Sequence, residues 1–233
     1  MRSIAERASG EEVFERLRRS LRPDWRDYVV LVADRLDGNP FAVLAAIILS
    51  QNTSDKNSIR AYMRLRSEIG VRPDDILEAD EGKLEDAIRP AGLPRQKARA
   101  LREAARVVLE SGGEEWLASA PPEEIRERLI AVPGIGPKTI DVFLSFYRKY
   151  TGVFAVDTHA ARIARRWGLV GEKAGYRQIS RALLEFFGGE RAEEAHRLLI
   201  ALGRTFCRAK NPRCRECPLR DVCPWPLKGA REG

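Results

Sequence analysis

The sequence predicts an all-α fold, and three observations support this prediction. Apolar residues recur at helical spacing along nearly the whole chain. No segment shows the alternation of apolar and polar residues that is typical of a half-buried strand. Proline and glycine fall between the apolar repeats, where helices begin and end. No long repeat or flexible linker interrupts this pattern, so we expect helices packed on helices.

The first half of the chain contains one segment that differs from the other predicted helices. Residues 41–49 form a nine-residue apolar run after Pro40, a favoured first-turn residue. A helix that is apolar on all sides belongs in the interior, so we expect a buried central helix there. The other helices of this half are expected at 13–21, 25–36, 59–69, 73–79, 80–89 and 98–111, with a loop at 90–94.

In the second half, Pro121 and Pro122 open a helix that carries Ile125, Leu129 and Ile130. Four more helices are expected at about 136–149, 158–168, 175–187 and 190–206.

Composition excludes several classes of protein. The chain has 233 residues, of which 44% are hydrophobic, enough for one domain or two small ones with a core. This composition argues against collagen-like, prion-like and wholly disordered chains. The longest apolar run is too short to span a bilayer, and the first residues lack an apolar signal core. We therefore expect an intracellular protein with no membrane partner.

The charge balance favours a polyanionic partner. The formal net charge is +7, and residues 203–220 alone contain six basic residues and one acidic residue. Arginine dominates the basic residues, and its planar guanidinium suits phosphate recognition. Asparagine and glutamine are scarce, which suggests a heat-adapted source.

All four cysteines lie near the C-terminal end of the chain: Cys207, Cys214, Cys217 and Cys223. Without a signal peptide, disulfides are a poor interpretation. Four thiolates this close in sequence can surround one metal centre, and both zinc and an iron–sulfur cluster fit the spacing. The spacing lacks the two matched Cys-x-x-Cys pairs of a zinc ribbon, which slightly favours the cluster.

A glycine-containing hairpin lies between two predicted helices. Gly134 and Gly136 permit a tight turn and close approach to the backbone, and the helix that follows offers free N–H groups to a phosphate. Lys138 lies in the first turn of that helix. By itself, this pattern is also typical of an ordinary turn between two helices with a solvated lysine.

A second set of polar residues begins the helix expected at 158–168. Asp157 is a favoured N-cap, and a cap could be its whole role. His159 could likewise be an ordinary packed residue. Asp157 follows Lys138 by nineteen residues, so one short helix and a loop could bring an amine and a carboxylate to one basic cleft.

Together these motifs resemble the endonuclease III branch of the helix–hairpin–helix DNA glycosylases. The resemblance rests on the hairpin 132–138, on Val156-Asp157-Thr158-His159 and on the cysteine spacing, and it covers about residues 27–225. Gln51-x-Thr53 and the segment Gly92-Leu93-Pro94-Arg95-x-Lys97 fit it too.

The resemblance implies two helical domains flanking a DNA-binding cleft. Residues 27–147 would form a six-helix barrel domain carrying the hairpin, and residues 1–26 with 148–233 would form an iron–sulfur domain. It also implies one 4Fe–4S cluster on the four cysteines, and a monovalent cation at the hairpin. The protein would be a monomer in the cytoplasm or nucleoid of a prokaryote and would bind double-stranded DNA that contains damaged bases or abasic sites.

The implied activity is base excision by a DNA glycosylase that is also an abasic-site lyase. Lys138 would be the nucleophile that forms a Schiff base, and Asp157 would stabilise positive charge on the sugar. Gln51 and Leu93 would fill the space left by an extruded nucleotide. The remaining DNA-binding positions would be Gly134, Ile135, Gly136, Thr139, Arg208 and Arg213.

The resemblance implies the substrate less specifically than it implies the activity. The resemblance favours oxidised or otherwise damaged pyrimidines, with Ser54 and His159 near the pocket. Asn52 and Ser54 depart from residues that are common in the family, so uracil or thymine opposite guanine stays an alternative substrate. A DNA-binding helix–hairpin–helix protein without catalytic activity is a second alternative.

Overall fold

The computed structural model describes residues 3–225, and its regular structure is helical. The predicted all-α class is confirmed, since no strand occurs among the described residues. The α-helices are α1 (Gly10–Ser20), α2 (Val29–Leu36), α3 (Pro40–Ser50), α4 (Asp55–Glu68), α5 (Pro73–Glu78), α6 (Glu81–Ile88), α7 (Pro94–Ser111), α8 (Gly113–Ser119), α9 (Pro122–Leu129), α10 (Pro137–Phe146), α11 (Thr158–Arg166), α12 (Tyr176–Phe187) and α13 (Ala192–Thr205). Short 3-10 helices occur at Ile4–Glu6, Trp25–Asp27, Arg89–Ala91, Gly189–Arg191 and Cys214–Glu216.

The chain divides into two compact units. One is the continuous segment Asp24–Arg148, which contains α2 to α10. The other combines the residues up to Pro23 with those from Lys149 onward, and it contains α1 and α11 to α13. Within the continuous unit, all of which is described, there are nine α-helices where the resemblance implied six, and the two shortest are α5 and α8. Residues 1, 2 and 226–233 of the second predicted domain lie outside the described residues.

Three sequence-based expectations were wrong in detail. The helix expected at 25–36 is interrupted at Tyr28, whose backbone is extended. The expected loop 90–94 overlaps the 3-10 helix Arg89–Ala91, and α7 already begins at Pro94. Helix α8 was missed because Gly112 and Gly113 resemble a loop. Both have positive φ, which ends α7 and lets α8 start without an intervening segment.

Helix α3 lies at the centre of the continuous unit, as its composition predicted. Every residue from Pro40 to Leu49 is buried. The helix packs against α2, α4, α7, α8 and α10. Asn39 caps its N-terminus by accepting a hydrogen bond from the Ala42 amide at 2.6 Å. These contacts bring the C-terminal end of α3 among the elements that carry the candidate site.

The second unit has its own apolar core, to which α1 and α11 to α13 contribute. Aromatic rings of Phe154, Trp167 and Phe187 pack together within it. Helix α1 packs closely on α12 at Gly10, where a β-carbon would lie only 1.6 Å from the carbonyl oxygen of Phe186. Glycine is therefore required at position 10 because there is no room for a β-carbon, and not because of its backbone conformation.

Among the residues described here, none of the helices is both long and apolar enough to cross a membrane.

We expect Gly10→Ala to destabilise this unit, since main-chain atoms of Phe186 would have to shift to make room for the new methyl group. Overpacking of this kind costs about 1–3 kcal/mol, or roughly 2–12 °C in Tm for a chain of this size. Thermal unfolding followed by circular dichroism measures the effect. Gly171→Ala is the control, because no atom lies within 4 Å of a β-carbon there. Equal Tm values for the two variants would contradict the close packing of α1.

Candidate functional site

The hairpin joins α9 to α10 through a turn that needs one glycine. Gly134 has φ +88°, a conformation that favours glycine, and the Ile135 amide closes the turn by donating to the Val132 carbonyl at 3.0 Å. Gly136 has an ordinary extended φ of −114°, and no atom lies within 4 Å of a β-carbon placed there. The open space at Gly136 permits another molecule to approach the backbone closely.

Helix α10 begins directly after Gly136, with Pro137 in its first position. The Lys138 side chain is exposed. The amide groups of Lys138 and Thr139 lie in the first turn, where an N–H has no acceptor within its own helix. The side chains of Ile135 and Thr139 are buried. Any contact of these two residues with DNA is therefore restricted to the main chain.

Gln51 lies at the C-terminal end of α3 and reaches the hairpin. Its side-chain amide donates to the Gly134 carbonyl oxygen at 2.9 Å and to Thr139 Oγ1 at 3.0 Å. The buried Thr139 hydroxyl is thus an anchor for Gln51. Of the sequence-predicted DNA-binding residues, Gln51, Gly134 and Thr139 are brought into direct contact within one unit.

Leu93 presents an apolar side chain to solvent from an uncommon backbone conformation. Its φ and ψ are 50° and 49°, the left-handed region, and its side chain is 52% exposed. This conformation costs about 1–2 kcal/mol for a residue other than glycine. Because its side chain is exposed, Leu93 is not a core residue.

Lys97 also belongs to this site, although its sequence context predicted no role for it. Its ammonium is buried and donates to the carbonyl oxygens of Leu49, Gln51 and Ala91, each at 2.8 Å. Burial lowers the pKa of Lys97 to about 8, so the side chain is still mostly protonated at neutral pH. One signal was available in the sequence, because Lys97 has helical spacing to Leu101 on the buried face of α7.

In the second unit, Asp157 follows a buried segment without regular secondary structure, residues 153–156. Nδ1 of the buried His196 donates to the Ala155 carbonyl oxygen at 2.6 Å, and the Ser180 hydroxyl donates to the Phe154 carbonyl at 2.7 Å. Asp157 itself is half-buried and caps α11, accepting from the Ala160 amide at 2.7 Å. His196 was missed by the sequence analysis, because a single histidine among apolar helix positions carries no motif.

Two residues predicted near a substrate pocket have identifiable structural contacts. Ser54 is exposed and caps α4 by accepting from the Asn57 amide at 3.3 Å. His159 Nδ1 lies 2.9 Å from the Arg162 guanidinium. A β-carbon on Gly203 would approach that nitrogen to 2.3 Å, so His159 packs tightly against α13. Burial lowers the pKa of His159.

The four cysteines line one pocket in the second unit, with an empty volume of about 350 Å³ that includes open solvent. Its walls are Trp167, Leu202, Phe206, Cys207, Cys214, Cys217, Arg220, Cys223 and Trp225. Among residues 3–225, no group of three or more His, Cys, Asp or Glu side chains is arranged to hold a single metal ion.

Helix α11 connects Asp157 to this pocket. Arg162 donates to the Cys207 carbonyl oxygen at 3.0 Å, and Arg166 donates to Cys207 Sγ at 3.2 Å. Arg166 also lies over the Trp225 ring, 4.7 Å from its centre. Burial raises the pKa of the Cys217 and Cys223 thiols, to about 11 and about 12.

The two arginines predicted to contact DNA differ in their surroundings. Arg208 is exposed, and its Nε donates to the Arg204 carbonyl oxygen at 3.3 Å. Arg213 forms an ion pair with Glu216. Arg208 is therefore the more available of the two for a phosphate, since an exposed ion pair must first be broken at Arg213.

Residues 45–188 match the family described as HhH-GPD superfamily base excision DNA repair protein. The chain is 34% identical to the endonuclease III of Sulfolobus acidocaldarius over 218 residues, which covers 93% of this chain and 96% of that protein. A solved non-covalent endonuclease III–DNA complex superposes with a TM-score of 0.78 at 25% identity, covering 99% of this chain and 100% of the other. A trapped covalent endonuclease III–DNA intermediate has a TM-score of 0.71 at 27% identity, covering 88% and 96%.

The contribution of the Asp157 cap to stability can be measured separately from any catalytic role. We expect Asp157→Ala to lower the free energy of unfolding by about 1 kcal/mol, because the Ala160 amide loses its acceptor. Asp157→Asn keeps an oxygen at the same place and should change it by no more than a few tenths. Ser9→Ala is the reference for the loss of one helix cap, and a similar loss of stability is expected, because Ser9 caps α1 of the same unit by accepting from the Glu12 amide. Urea denaturation measures all three, and an unchanged Asp157→Ala stability would contradict the cap.

Proposed function

The chain belongs to the HhH-GPD superfamily of base excision DNA repair proteins, and we propose how its residues perform glycosylase and abasic-site lyase chemistry. The exposed amine of Lys138, in the first turn of the hairpin helix α10, carries the proposal. An amine at the start of a helix lies where a phosphate backbone can be held close by. Likeness to the trapped covalent endonuclease III–DNA complex supports a covalent step.

The reaction begins with attack by Nζ of Lys138 on C1′ of the damaged nucleotide. The bond from C1′ to the base breaks, the base leaves with the bonding electrons and takes up a proton, and the sugar ring opens as a Schiff base forms with the lysine. Loss of a C2′ proton then expels the 3′ phosphate by β-elimination, which nicks the strand. Water finally releases the enzyme from the sugar fragment. An amine attacks carbon only when it is unprotonated, since an ammonium has no free electron pair.

Asp157 supplies negative charge to the same reaction. As the base departs, positive charge develops on the sugar, and a carboxylate stabilises that charge. The buried segment 153–156 supports this role, because hydrogen bonds from His196 and Ser180 fix the backbone just before the aspartate. One oxygen of Asp157 remains committed to the α11 cap.

Binding of the duplex relies on the hairpin and on basic side chains. The free first-turn amides of α10 and the open space at Gly136 suit a phosphate. Carbonyl groups of the hairpin would hold a monovalent cation. Arg208 and, once released from Glu216, Arg213 would add phosphate contacts, which position DNA without reading its sequence. Gln51 and the exposed Leu93 would fill the space left by the extruded nucleotide.

The cysteine pocket fits an iron–sulfur cluster. Four thiols surround an open space with apolar walls, and the Arg166 guanidinium offers a hydrogen bond to the sulfur of Cys207. Cys207, Cys214, Cys217 and Cys223 would hold one 4Fe–4S cluster. When bound, this group would cross-link the loop 207–223 and so order the arginines on it.

We propose oxidised or ring-damaged pyrimidines as the substrate class, and a monomer in the cytoplasm or nucleoid of a prokaryote as the working form. The departure from the family pattern at Ser54 does not favour a different substrate, because the Ser54 hydroxyl accepts the hydrogen bond that caps α4. This assignment is tested by comparing excision from duplexes that carry oxidised pyrimidines with excision from duplexes that carry uracil or thymine opposite guanine. Faster excision of uracil or thymine would overturn the assignment to damaged pyrimidines.

Sodium borohydride should trap the wild-type protein covalently on duplex DNA that carries an abasic site or an oxidised pyrimidine. Lys138→Gln should abolish trapping and keep duplex binding, because the turn at Gly134 does not need that side chain. Lys173→Gln, which removes another exposed lysine, is the control and should trap normally. Trapping is measured by gel shift under denaturing conditions. Efficient trapping by Lys138→Gln would mean that another amine is the nucleophile.

Asp157→Asn should slow base excision by about 100-fold, equal to about 2.7 kcal/mol of barrier. Its effect on a preformed abasic site should be smaller, because no base leaves there. Single-turnover rates on the two substrates measure the difference, and Ser9→Ala, which removes a helix cap elsewhere in the same unit, controls for destabilisation. Equal slowing on both substrates would contradict a role at base departure.

Protein purified without oxidation should contain about four irons per chain, typical of one 4Fe–4S cluster. Cys214→Ser should lose iron and lower Tm, because the loop is no longer held through its thiolates. Arg215→Gln, an exposed change at the next position, should keep its iron. Metal analysis and visible absorbance measure this. Stoichiometric zinc without iron in natively expressed protein would overturn the cluster assignment.

A further inference from the structure

Lys97 lies behind both side chains that the proposed function inserts into DNA. Its three hydrogen bonds reach two separate backbone segments, the end of α3 and the turn that precedes Leu93. Gln51 belongs to the first segment through its own carbonyl group. Ala91 belongs to the second and lies two residues before Leu93. The ammonium is thus a direct bridge between the two inserting positions.

The hydrogen bonding of Lys97 is complete. An ammonium has three donor hydrogens, and three carbonyl oxygens lie at 2.8 Å. Among the described residues no carboxylate forms an ion pair with Lys97, so these carbonyls are what compensates for burying its charge. Removing the ammonium would leave buried acceptors unpartnered on both segments at once.

The two bridged segments have conformations that need support. Leu93 is left-handed with an exposed apolar side chain, and Asn52, next to Gln51, also has a positive φ of 53°. A chain free to move would relax from these conformations and let the leucine side chain fold back onto apolar surface. Both segments would then have to be ordered again whenever DNA is bound, and the entropy lost in that ordering weakens binding.

We propose that Lys97 is the positioning residue for nucleotide extrusion, holding Gln51 and Leu93 at a fixed separation so that both enter the duplex together. This inference rests on the proposed function, in which those two side chains replace the extruded nucleotide. Lys97 itself is buried and does not touch DNA. It acts only through the backbone that carries the two inserting residues.

The test measures extrusion without catalysis. The holoenzyme is mixed with a duplex that carries an uncleavable tetrahydrofuran abasic analogue next to 2-aminopurine, whose fluorescence rises when the neighbouring stack is opened. Lys97→Met keeps the length of the side chain and removes its donors. Arg102→Met is the matched control, because Arg102 lies on the same helix and donates to the carbonyl oxygens of Leu77 and Ala79, away from the hairpin.

We expect Lys97→Met to slow the fluorescence rise by about tenfold or more, as unpartnered acceptors let both segments move. Affinity for undamaged duplex should stay close to that of the wild type, since phosphate contacts supply it. Arg102→Met should lower Tm and leave the fluorescence rise unchanged. Equal rates for Lys97→Met and wild type, or equal slowing by Arg102→Met, would overturn the inference.

A double-mutant cycle separates positioning from general destabilisation. In a background of Gln51→Ala with Leu93→Ala, the Lys97 substitution should have little further effect on extrusion, because nothing remains to be positioned. Full additivity would overturn the inference. Lys97→Gln, which keeps two donor hydrogens, replaces Lys97→Met in the cycle if the latter does not fold. A wild-type protein that neither traps nor raises fluorescence would instead refute the proposed function.

Discussion

The end of one buried helix constrains the whole hairpin-bearing unit. Helix α3 is apolar on every side and therefore lies inside, which leaves the last carbonyl groups of the helix without water. Lys97 satisfies two carbonyls at this end, Leu49 and Gln51, and a third on Ala91. The fold accepts a buried charge here because the alternative is several buried acceptors without donors. The turn that carries Leu93 and the backbone that carries Gln51 are both fixed as a result.

The hairpin is attached to the same place. Gln51 continues from the backbone held by Lys97 and donates its side-chain amide to Gly134 and Thr139. A continuous path of hydrogen bonds therefore runs from a lysine on α7 to the turn that precedes Lys138. Buried hydrogen bonds, most of them to main-chain carbonyl groups, therefore support the backbone that carries two exposed groups of this unit, the amine of Lys138 and the side chain of Leu93.

The other unit uses α11 in a comparable way. Its first turn is capped by Asp157, and its later turns hold the cysteine loop through Arg162 and Arg166. The proposed charge-stabilising carboxylate and the proposed cluster loop are thus attached to the two ends of one short helix. This arrangement explains why an aspartate can serve as an N-cap and still be available for chemistry: the cap engages one of its oxygens and leaves the second unassigned.

The helical class, the buried helix at 41–49, the hairpin and the clustering of cysteines were all predictable from the amino-acid sequence, because each depends on residues that are close together along the chain. Helix periodicity, glycine spacing and cysteine spacing are local signals. The folded structure was needed to establish what Lys97 and His196 do, since the carbonyl groups of Leu49, Gln51 and Ala155 that they contact lie more than 40 residues away in sequence. It also decided that Ile135 and Thr139 point inward while Leu93 points outward, because a side chain's direction depends on which neighbours compete to bury it.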